Sequence, residues 1–315
     1  MGIADDIHNT ISSNALIERE ADFPFRHHLG ASIMGHTCDR YLWFSFRWMR
    51  EPSHSSRIQR IFNRGNSEEK RIIEMLRKTG LVLSTNLAEL CANTGLPVEL
   101  NSLYLLRSYG LDVFIPSEIT ADTQIKANFP PHLGGSLDAI LHVPANYVAH
   151  YGYFMPVEIK THNQRSFNEL IKDKQSTRWN KPQHFVQGNM YAIQTKCNNF
   201  LYVAENKNTD ELYLIDEQAV ASVATLNLMR AEQIIYRQRA EDNVKTQEQW
   251  RCRMCDYKDI CKKSSFNDVA INCRTCSNAI PSNDGSWQCT AYMNIIERET
   301  EIERASICPH YTRIV

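Results

Sequence analysis

The central part of the chain alternates between apolar and polar positions in the way that β-strands do. Residues 136–143 (SLDAILHV) and 153–161 (YFMPVEIKT) each repeat with period two, and the turn residues between them make a hairpin. Two later segments, NNFLYVAEN and ELYLIDE, show the same alternation on either side of KNTD. The pattern predicts two pairs of neighbouring strands.

Helical periodicity surrounds these strands. The segment RGNSEEKRIIEMLRKTG carries its apolar residues on one face, and Gly80 ends it. A second helical stretch lies around residues 167–174, and KPQHFVQGNMYAIQT begins a third with Pro182 in its first turn. The order β-β-α-β-β predicts an α/β fold with a mixed central sheet flanked by helices. Residues 81–133 lack a clear period, and we expect an insertion there.

Length and composition bound what the chain can be. With 315 residues, 43% of them apolar, it can bury one substantial core and a small appendage. No apolar segment approaches the roughly 20 residues of a membrane helix, and no signal peptide is recognisable, so we expect a cytoplasmic protein without membrane contact. The formal net charge of −1 provides no overall basic field. Basic residues cluster locally, from Arg47 to Arg64 and from Lys160 to Lys181, where they suit either phosphate contacts or ordinary solvated helix faces.

Two carboxylates and a lysine fall on the first predicted hairpin. Asp138 stands near the start of one strand, whereas Glu158 and Lys160 are two residues apart in the other and therefore share a face. Neighbouring carboxylates repel each other unless a divalent cation lies between them, and oxygen ligands favour Mg²⁺ or Mn²⁺. With the lysine to orient or deprotonate a water molecule, the group suits phosphodiester hydrolysis. The alternative is that these charges form the solvent face of a strand.

Two helices add polar residues to this neighbourhood. Gln183, Gln187 and Tyr191 are spaced four apart, so one exposed helix face would carry all three. Upstream, Glu69 shares a face with the apolar residues of the first predicted helix, and an inward glutamate needs a partner such as a metal ion. This spacing favours Glu69 and leaves Glu68 as the alternative.

The ten cysteines are unevenly distributed, with seven between positions 252 and 308. Because no secretory signal is recognisable, metal ligation is a better interpretation than disulfides. One set combines C-x-x-C-x5-C with a distant upstream cysteine, and its spacing fits either zinc or an iron–sulfur cluster. It consists of Cys38, Cys252, Cys255 and Cys261.

A second set of cysteines predicts a zinc site in a small C-terminal appendage. It consists of Cys273, Cys276, Cys289 and Cys308, with His310 as a substitute ligand. The alternative is a loose tail with unpaired surface cysteines. Cys91 and Cys197 have no partners in spacing, and we interpret both as ordinary packed residues.

In their order, the segments RGNSEE, GGSLD, VEIKT and QGNMY resemble the motifs of the RecB-like branch of the PD-(D/E)XK nucleases. The first motif departs from that branch, because Glu stands where many members have His. The resemblance implies a restriction-endonuclease-like core in which two carboxylates and one backbone carbonyl bind Mg²⁺ or Mn²⁺, a lysine is catalytic and a further glutamate supports a ligand or water. These residues are Asp138, Glu158 and Ile159 for the metal, Lys160 for catalysis and Glu69 for support.

The same resemblance assigns Gln187 and Tyr191, with Gln183 on their face, to contacts with DNA or to bracing the lysine. The first cysteine set resembles that of the iron-staple nucleases, including AddB-type helicase–nucleases and CRISPR-associated RecB-like exonucleases, in which a 4Fe-4S cluster ties the two ends of the domain together. It implies an iron–sulfur-stapled nuclease domain over residues 1–263 and a zinc-ribbon-like tail over residues 264–315.

The expected function is that of a DNA exonuclease acting on single- or double-stranded DNA ends in phage or bacterial recombination or repair, with a single-strand annealing or recombination protein as a partner. One alternative is a CRISPR-adaptation nuclease that trims spacer precursors. Another is an inactive DNA-end-binding subunit, against which the intact Asp138, Glu158 and Lys160 argue. A helicase is excluded, because the chain has no G-x-x-x-x-G-K-[ST] loop.

Overall fold

The structure is a computed structural model that describes residues 4, 7, 10, 13, 25–51, 55–172, 176–240, 250–261, 268–297 and 300–314. The chain divides into two compact units. One comprises Ile58–Pro130 and Gly134–Leu228, and the other comprises Met1–Arg57, Pro131–Leu133 and Met229–Val315. No helix among the described residues combines the length and the apolar character needed to cross a bilayer.

The described residues form helices and strands in a mixed order. The helices, in chain order, are α1 Asp39–Phe46, α2 Ser56–Lys78, α3 Leu87–Thr94, α4 Leu100–Leu106, α5 Val148–Tyr151, α6 Gln164–Ile171, α7 Thr177–Asn180, α8 Pro182–Gln194, α9 Ala221–Tyr236, α10 Trp250–Arg253, α11 Lys258–Cys261 and α12 Glu301–Ile307. The strands are β1 Leu29–Gly30, β2 Val82–Ser84, β3 Leu133–Gly134, β4 Ala139–His142, β5 Phe154–His162, β6 Asn199–Asn206, β7 Leu212–Gln218, β8 Ala279–Pro281, β9 Trp287–Cys289 and β10 Asn294–Ile296.

A five-stranded mixed sheet forms the centre of the first unit. Its order is β2-β4-β5-β6-β7, with β5 and β6 parallel and the other pairs antiparallel. The predicted hairpin and the predicted mixed α/β sheet are therefore confirmed. The stretch 81–133, which we expected to be an insertion, begins with a strand of the main sheet, because Val82–Ser84 pairs with β4. With only three residues, this strand is too short for its period to be recognised in the sequence.

Helix α2 packs on one face of this sheet through its apolar stripe. Ile72, Ile73 and Leu76 are buried against a cluster that includes Val157 and Ile159 of β5. Because side chains alternate along a strand, Glu158 and Lys160 point away from this apolar cluster. The apolar period of β5 thus determines which face carries its charged residues.

Helix α8 approaches β6 closely through a glycine. A Cβ atom on Gly188 would stand 2.3 Å from the ring of Phe200, so the helix backbone lies directly against that ring. The neighbouring Asn189 is fully buried and donates a hydrogen bond to the carbonyl oxygen of Phe185. This close packing turns the polar residues of α8 toward the sheet.

The second unit contains α1 and a small sheet of order β10-β9-β8 near the C-terminal end. We expected residues 264–315 to be a local appendage, but the described part of this stretch packs into the same unit as residues 25–49. The guanidinium of Arg47 is fully buried and donates to the carbonyl oxygens of Arg274 and Ala279 at 3.1 and 2.9 Å. Arg274 forms a buried two-bond ion pair with Glu301. These long-range polar contacts could not be inferred from local sequence spacing.

Candidate active site

The β4–β5 register brings the predicted carboxylates together. Ala139 pairs with Val157, so Asp138 precedes the strand opposite Glu158. The Asp138 carboxylate accepts a hydrogen bond of 2.7 Å from the backbone N–H of Ile159, and the Lys160 ammonium forms an ion pair with Glu158. Asp138, Glu158 and Lys160 therefore form one cluster at the start of β4 and the middle of β5.

Helix α2 contributes Glu69 to the same cluster. Its carboxylate lies close enough to Asp138 and Lys160 for their charges to affect its pKa. Glu68 instead forms an ion pair with Arg71 at 2.7 Å and lies 3.8 Å from Arg64. Of the two glutamates that the sequence left open, Glu69 is the one that faces the carboxylate cluster.

The three carboxylates hold more negative charge than the site balances. Burial and the charge of Asp138 together raise the pKa of Glu158 to about 8, against the opposing charge of Lys160. Burial and Asp138 likewise raise the pKa of Glu69 to about 7. Burial alone would lower the pKa of Lys160, but the carboxylates of Glu158 and Asp138 outweigh it and hold that pKa above its ordinary value. The second carboxylate oxygen of Glu158 is buried and has no hydrogen-bond partner within the described part of the chain.

Helix α8 differs from the sequence expectation in what it exposes. We expected Gln183, Gln187 and Tyr191 to lie on an exposed face, but only Gln183 is exposed, whereas Gln187 and Tyr191 are 4% and 3% exposed. A Cβ atom on Gly135 would lie 2.6 Å from the Tyr191 hydroxyl oxygen, so the ring lies directly against the backbone before Asp138. The charges of Glu158 and Asp138 help burial to raise the pKa of Tyr191. This position favours bracing of the cluster over direct DNA contact.

Gln187 and Tyr191, four residues apart in α8, contact each other through their side chains. The Gln187 side-chain amide donates to the Tyr191 hydroxyl over 3.3 Å. The spacing of four had correctly placed both residues on one face, but period alone does not say whether a polar face points inward. The close approach at Gly188 supplies the physical reason, because it removes the space for solvent between α8 and the sheet.

Sequence reasoning missed a buried polar chain beside this cluster. The Tyr202 hydroxyl lies 2.9 Å from His162 and 2.7 Å from His184, and His162 also lies 3.1 Å from the Ser166 hydroxyl. Burial and the charge of Lys181 lower the pKa of His162 to about 4, so its ring is neutral at pH 7. The spacing of the two histidines could have indicated this chain of polar residues. His162 ends the pattern E-x-K-x-H along β5, and His184 begins the pattern H-x-x-Q-x-x-x-Y along α8.

The first cysteine set converges in the second unit. Burial raises the pKa of Cys255, and the nearby thiols of Cys38 and Cys261 raise it further. Cys38 immediately precedes α1, and Cys252 lies in α10, where its carbonyl oxygen accepts a 3.4 Å hydrogen bond from the Cys255 N–H. The upstream cysteine and the late C-x-x-C-x5-C segment therefore share one neighbourhood.

Comparison with known proteins finds distant structural likenesses. No family model and no curated protein matches the chain. The crystal structure of SSO0001 is 13% identical with a TM-score of 0.42, and the match covers 81% of this chain and 95% of the other. An alkaline exonuclease from Laribacter hongkongensis, LHK-Exo, is 12% identical with a TM-score of 0.38, and 66% of this chain and 86% of that chain are covered. The structure of the same exonuclease in complex with dAMP has a TM-score of 0.40.

These likenesses are too distant to carry a functional conclusion. The side chains of the site therefore have to supply it. Within the described ranges, no three His, Cys, Asp or Glu side chains already stand in a metal-binding arrangement. The carboxylate cluster nevertheless has the chemistry for a hard divalent cation, since it offers oxygen ligands and a buried carboxylate oxygen without a partner.

Proposed function

We propose that the chain is a metal-dependent DNA exonuclease that hydrolyses phosphodiester bonds at DNA ends. The observation that carries this proposal is the convergence of Glu69, Asp138 and Glu158 around Lys160, with one Glu158 oxygen buried and unpartnered among the described residues. A purely structural ion pair would not bring three carboxylates to one lysine, because the excess negative charge destabilises the folded state.

Each residue has a definite role under this proposal. Asp138, Glu158 and the backbone carbonyl of Ile159 would hold Mg²⁺ or Mn²⁺, which when bound supplies charge stabilisation at the scissile phosphate. Lys160 remains protonated beside Glu158 and orients the attacking water. Glu69, whose pKa lies near neutrality, accepts a hydrogen bond from a ligand or water at the edge of the cluster. Tyr191 and Gln187 hold the segment before Asp138 in place.

A DNA-contacting surface is proposed around α7 and the start of α8. Trp179 is 69% exposed, and the guanidinium of Arg178 lies 5.1 Å from its ring centroid. An exposed aromatic ring with an adjacent arginine suits stacking on an unpaired base together with phosphate contact. Gln183, the second residue of α8, is exposed and extends this surface. Lys207, whose carbonyl oxygen accepts a hydrogen bond from Arg64, adds positive charge in the β6–β7 turn.

Two finer proposals accompany the nuclease function. Cys38, Cys252, Cys255 and Cys261 would ligate a 4Fe-4S cluster, which is supported by their shared neighbourhood and by the likeness of their pattern to iron-staple nucleases. The biological setting would be recombination or repair of DNA ends in a phage or bacterium, together with an annealing or recombination protein.

The deciding experiment compares the full chain with Glu158→Gln, which preserves shape and removes the charge. With Mg²⁺, the unaltered protein should degrade linear DNA and spare covalently closed circles, whereas the variant should bind DNA ends and lose cleavage by at least about a hundredfold. Glu297→Gln, at an exposed position of the other unit, is the matched control and should cleave normally. Magnesium-dependent cleavage by Glu158→Gln at the normal rate would reject the assignment. End binding without cleavage by the unaltered chain would instead favour an inactive DNA-end-binding subunit.

A further inference from the structure

Four cysteines near the C-terminal end line one cavity, although they come from four separate positions in the chain. Cys273 opens a 3-10 helix, Cys276 follows it, Cys289 ends β9, and Cys308 follows α12. Apolar side chains such as Ile296 complete the lining. A C-x-x-C turn, a strand end and a helix end thus direct four thiols toward the same space.

The surroundings of these thiols differ from those of packed cysteines. Cys91 and Cys197 are each buried alone, which is the usual use of a cysteine as a small apolar residue. In the cavity, the Cys276 sulfur instead accepts a 3.4 Å hydrogen bond from the backbone N–H of Thr312. Arg304 also lines the cavity and places a cation beside the thiols. A backbone donor and a nearby cation are contacts that commonly surround metal-bound sulfur.

The C-x-x-C turn is held rigidly. Asn272 and Thr275 form a reciprocal capping box, with side-chain to backbone hydrogen bonds of 3.2 Å in each direction. The backbone N–H of Ile314 donates to the carbonyl oxygen of Thr275, and that of Ser277 donates to Thr312. The turn is therefore anchored on both sides of Cys276.

The secondary structure around the cavity is short. The strands β8, β9 and β10 have three residues each, and α12 has seven. Elements of this size bury little apolar surface among themselves, so a metal cross-link would add to contacts such as that of Arg47 with Ala279. The cavity has a volume of about 20 Å³, which is room for about one water-sized particle. That volume suits a single ion and is too small for a four-iron cluster.

We propose that Cys273, Cys276, Cys289 and Cys308 bind one structural Zn²⁺, independently of the proposed nuclease function. Four thiolate ligands around zinc form a closed tetrahedral site, which leaves no position for catalysis. Cys308 is taken as the fourth ligand because it completes a set of four thiols, although His310 also lines the cavity, with its ring edge-on against Tyr292. Binding requires the thiols to rotate about their side-chain bonds, and it releases their protons.

The test uses the full chain, expressed with added zinc and analysed for bound metals by mass spectrometry. About one zinc per chain is expected in the unaltered protein, in Cys197→Ser, which changes a buried cysteine of the other unit, and in Cys255→Ser. Cys276→Ser and Cys308→Ser should lose it, whereas His310→Ala should retain it. Zinc retained in both Cys276→Ser and Cys308→Ser, no zinc in the unaltered protein, or loss of iron in Cys276→Ser and Cys308→Ser would overturn the proposal.

Substitution with cobalt keeps the test decisive if Cys276→Ser fails to fold. Cobalt bound to the unaltered chain should give the absorption bands of a tetrahedral thiolate site, and these should persist in Cys255→Ser. A spectrum typical of six oxygen or nitrogen ligands, or bands that vanish in Cys255→Ser, would place the metal elsewhere.

Discussion

The two neighbouring glutamates Glu68 and Glu69 show how one position along a helix separates structural from chemical roles. Glu69→Gln should lower cleavage by about ten- to a hundredfold, because Glu69 faces Asp138 and Lys160. Glu68→Gln should change cleavage less than about threefold, since Glu68 pairs with Arg71. Initial rates under saturating Mg²⁺ measure both. Equal losses of cleavage rate in the two variants would show that the orientation assigned to α2, with Glu69 toward the carboxylates, is wrong.

Tyr191 provides a second test at the level of one side chain. Because the ring is buried against Gly135, Tyr191→Ala should destabilise the fold by about 3–5 kcal/mol. Tyr191→Phe keeps the ring and removes only the hydroxyl that Gln187 contacts. This variant should fold normally and cleave DNA more slowly than the unaltered protein. Urea unfolding followed by assays at matched folded fractions separates these effects. A normal stability for Tyr191→Ala would restore the exposed-face interpretation.

At the level of secondary structure, two glycines in helices allow opposite predictions. Gly188→Ala in α8 would press a methyl group into the Phe200 ring and should cost about 1–3 kcal/mol of unfolding free energy. Gly65→Ala in α2 meets nothing within 4 Å and should stabilise the protein by about 0.5–1 kcal/mol, because alanine favours helices. Thermal unfolding of the two variants gives the comparison. A stabilising Gly188→Ala would contradict the close α8–β6 packing.

The same elements show how far sequence reasoning reaches. Period-two alternation was enough to predict the β4–β5 and β6–β7 pairs, and the i, i+3, i+4 stripe on α2 predicted which face meets the sheet. The inward direction of the polar face of α8 was not predictable, because it depends on the fit between Gly188 and Phe200, which are distant in sequence. Of the candidate site, the carboxylates and lysine were recognisable from spacing, while the Tyr202 chain needed the parallel β5–β6 register.

At the level of the whole molecule, the two cysteine sets should respond separately to mutation. Cys255→Ser should remove the brown colour and the absorption near roughly 400 nm expected of an iron–sulfur cluster. It should also destabilise the unit that contains residues 25–51 and 250–261. Cys197→Ser is the matched buried control. Spectra of anaerobically purified protein decide the matter, and a colourless unaltered chain would reject the cluster.

The sequence suggested a contiguous nuclease domain followed by a tail, because spacing along the chain says nothing about which distant segments meet. The second unit is assembled from an early segment, a three-residue link at positions 131–133 and a late segment. Its contacts include the side chain of Arg47 with the backbone of Arg274, 227 positions later. Such pairing depends on the completed fold.

This discontinuity has a consequence for synthesis on the ribosome. Trp43 and Trp48 emerge early, but the groups that bury them, including the carbonyl of Arg237 and the guanidinium of Arg274, are translated about two hundred residues later. At a translation rate of about 5–20 residues per second, Trp43 and Trp48 stay without these later partners for roughly 10–40 seconds, although Trp48 can already stack on Phe25. Meanwhile Ile58–Leu228 can complete its own sheet. The newly synthesised chain therefore exposes part of an apolar aromatic segment throughout that interval. We expect chaperones that hold apolar segments to bind it.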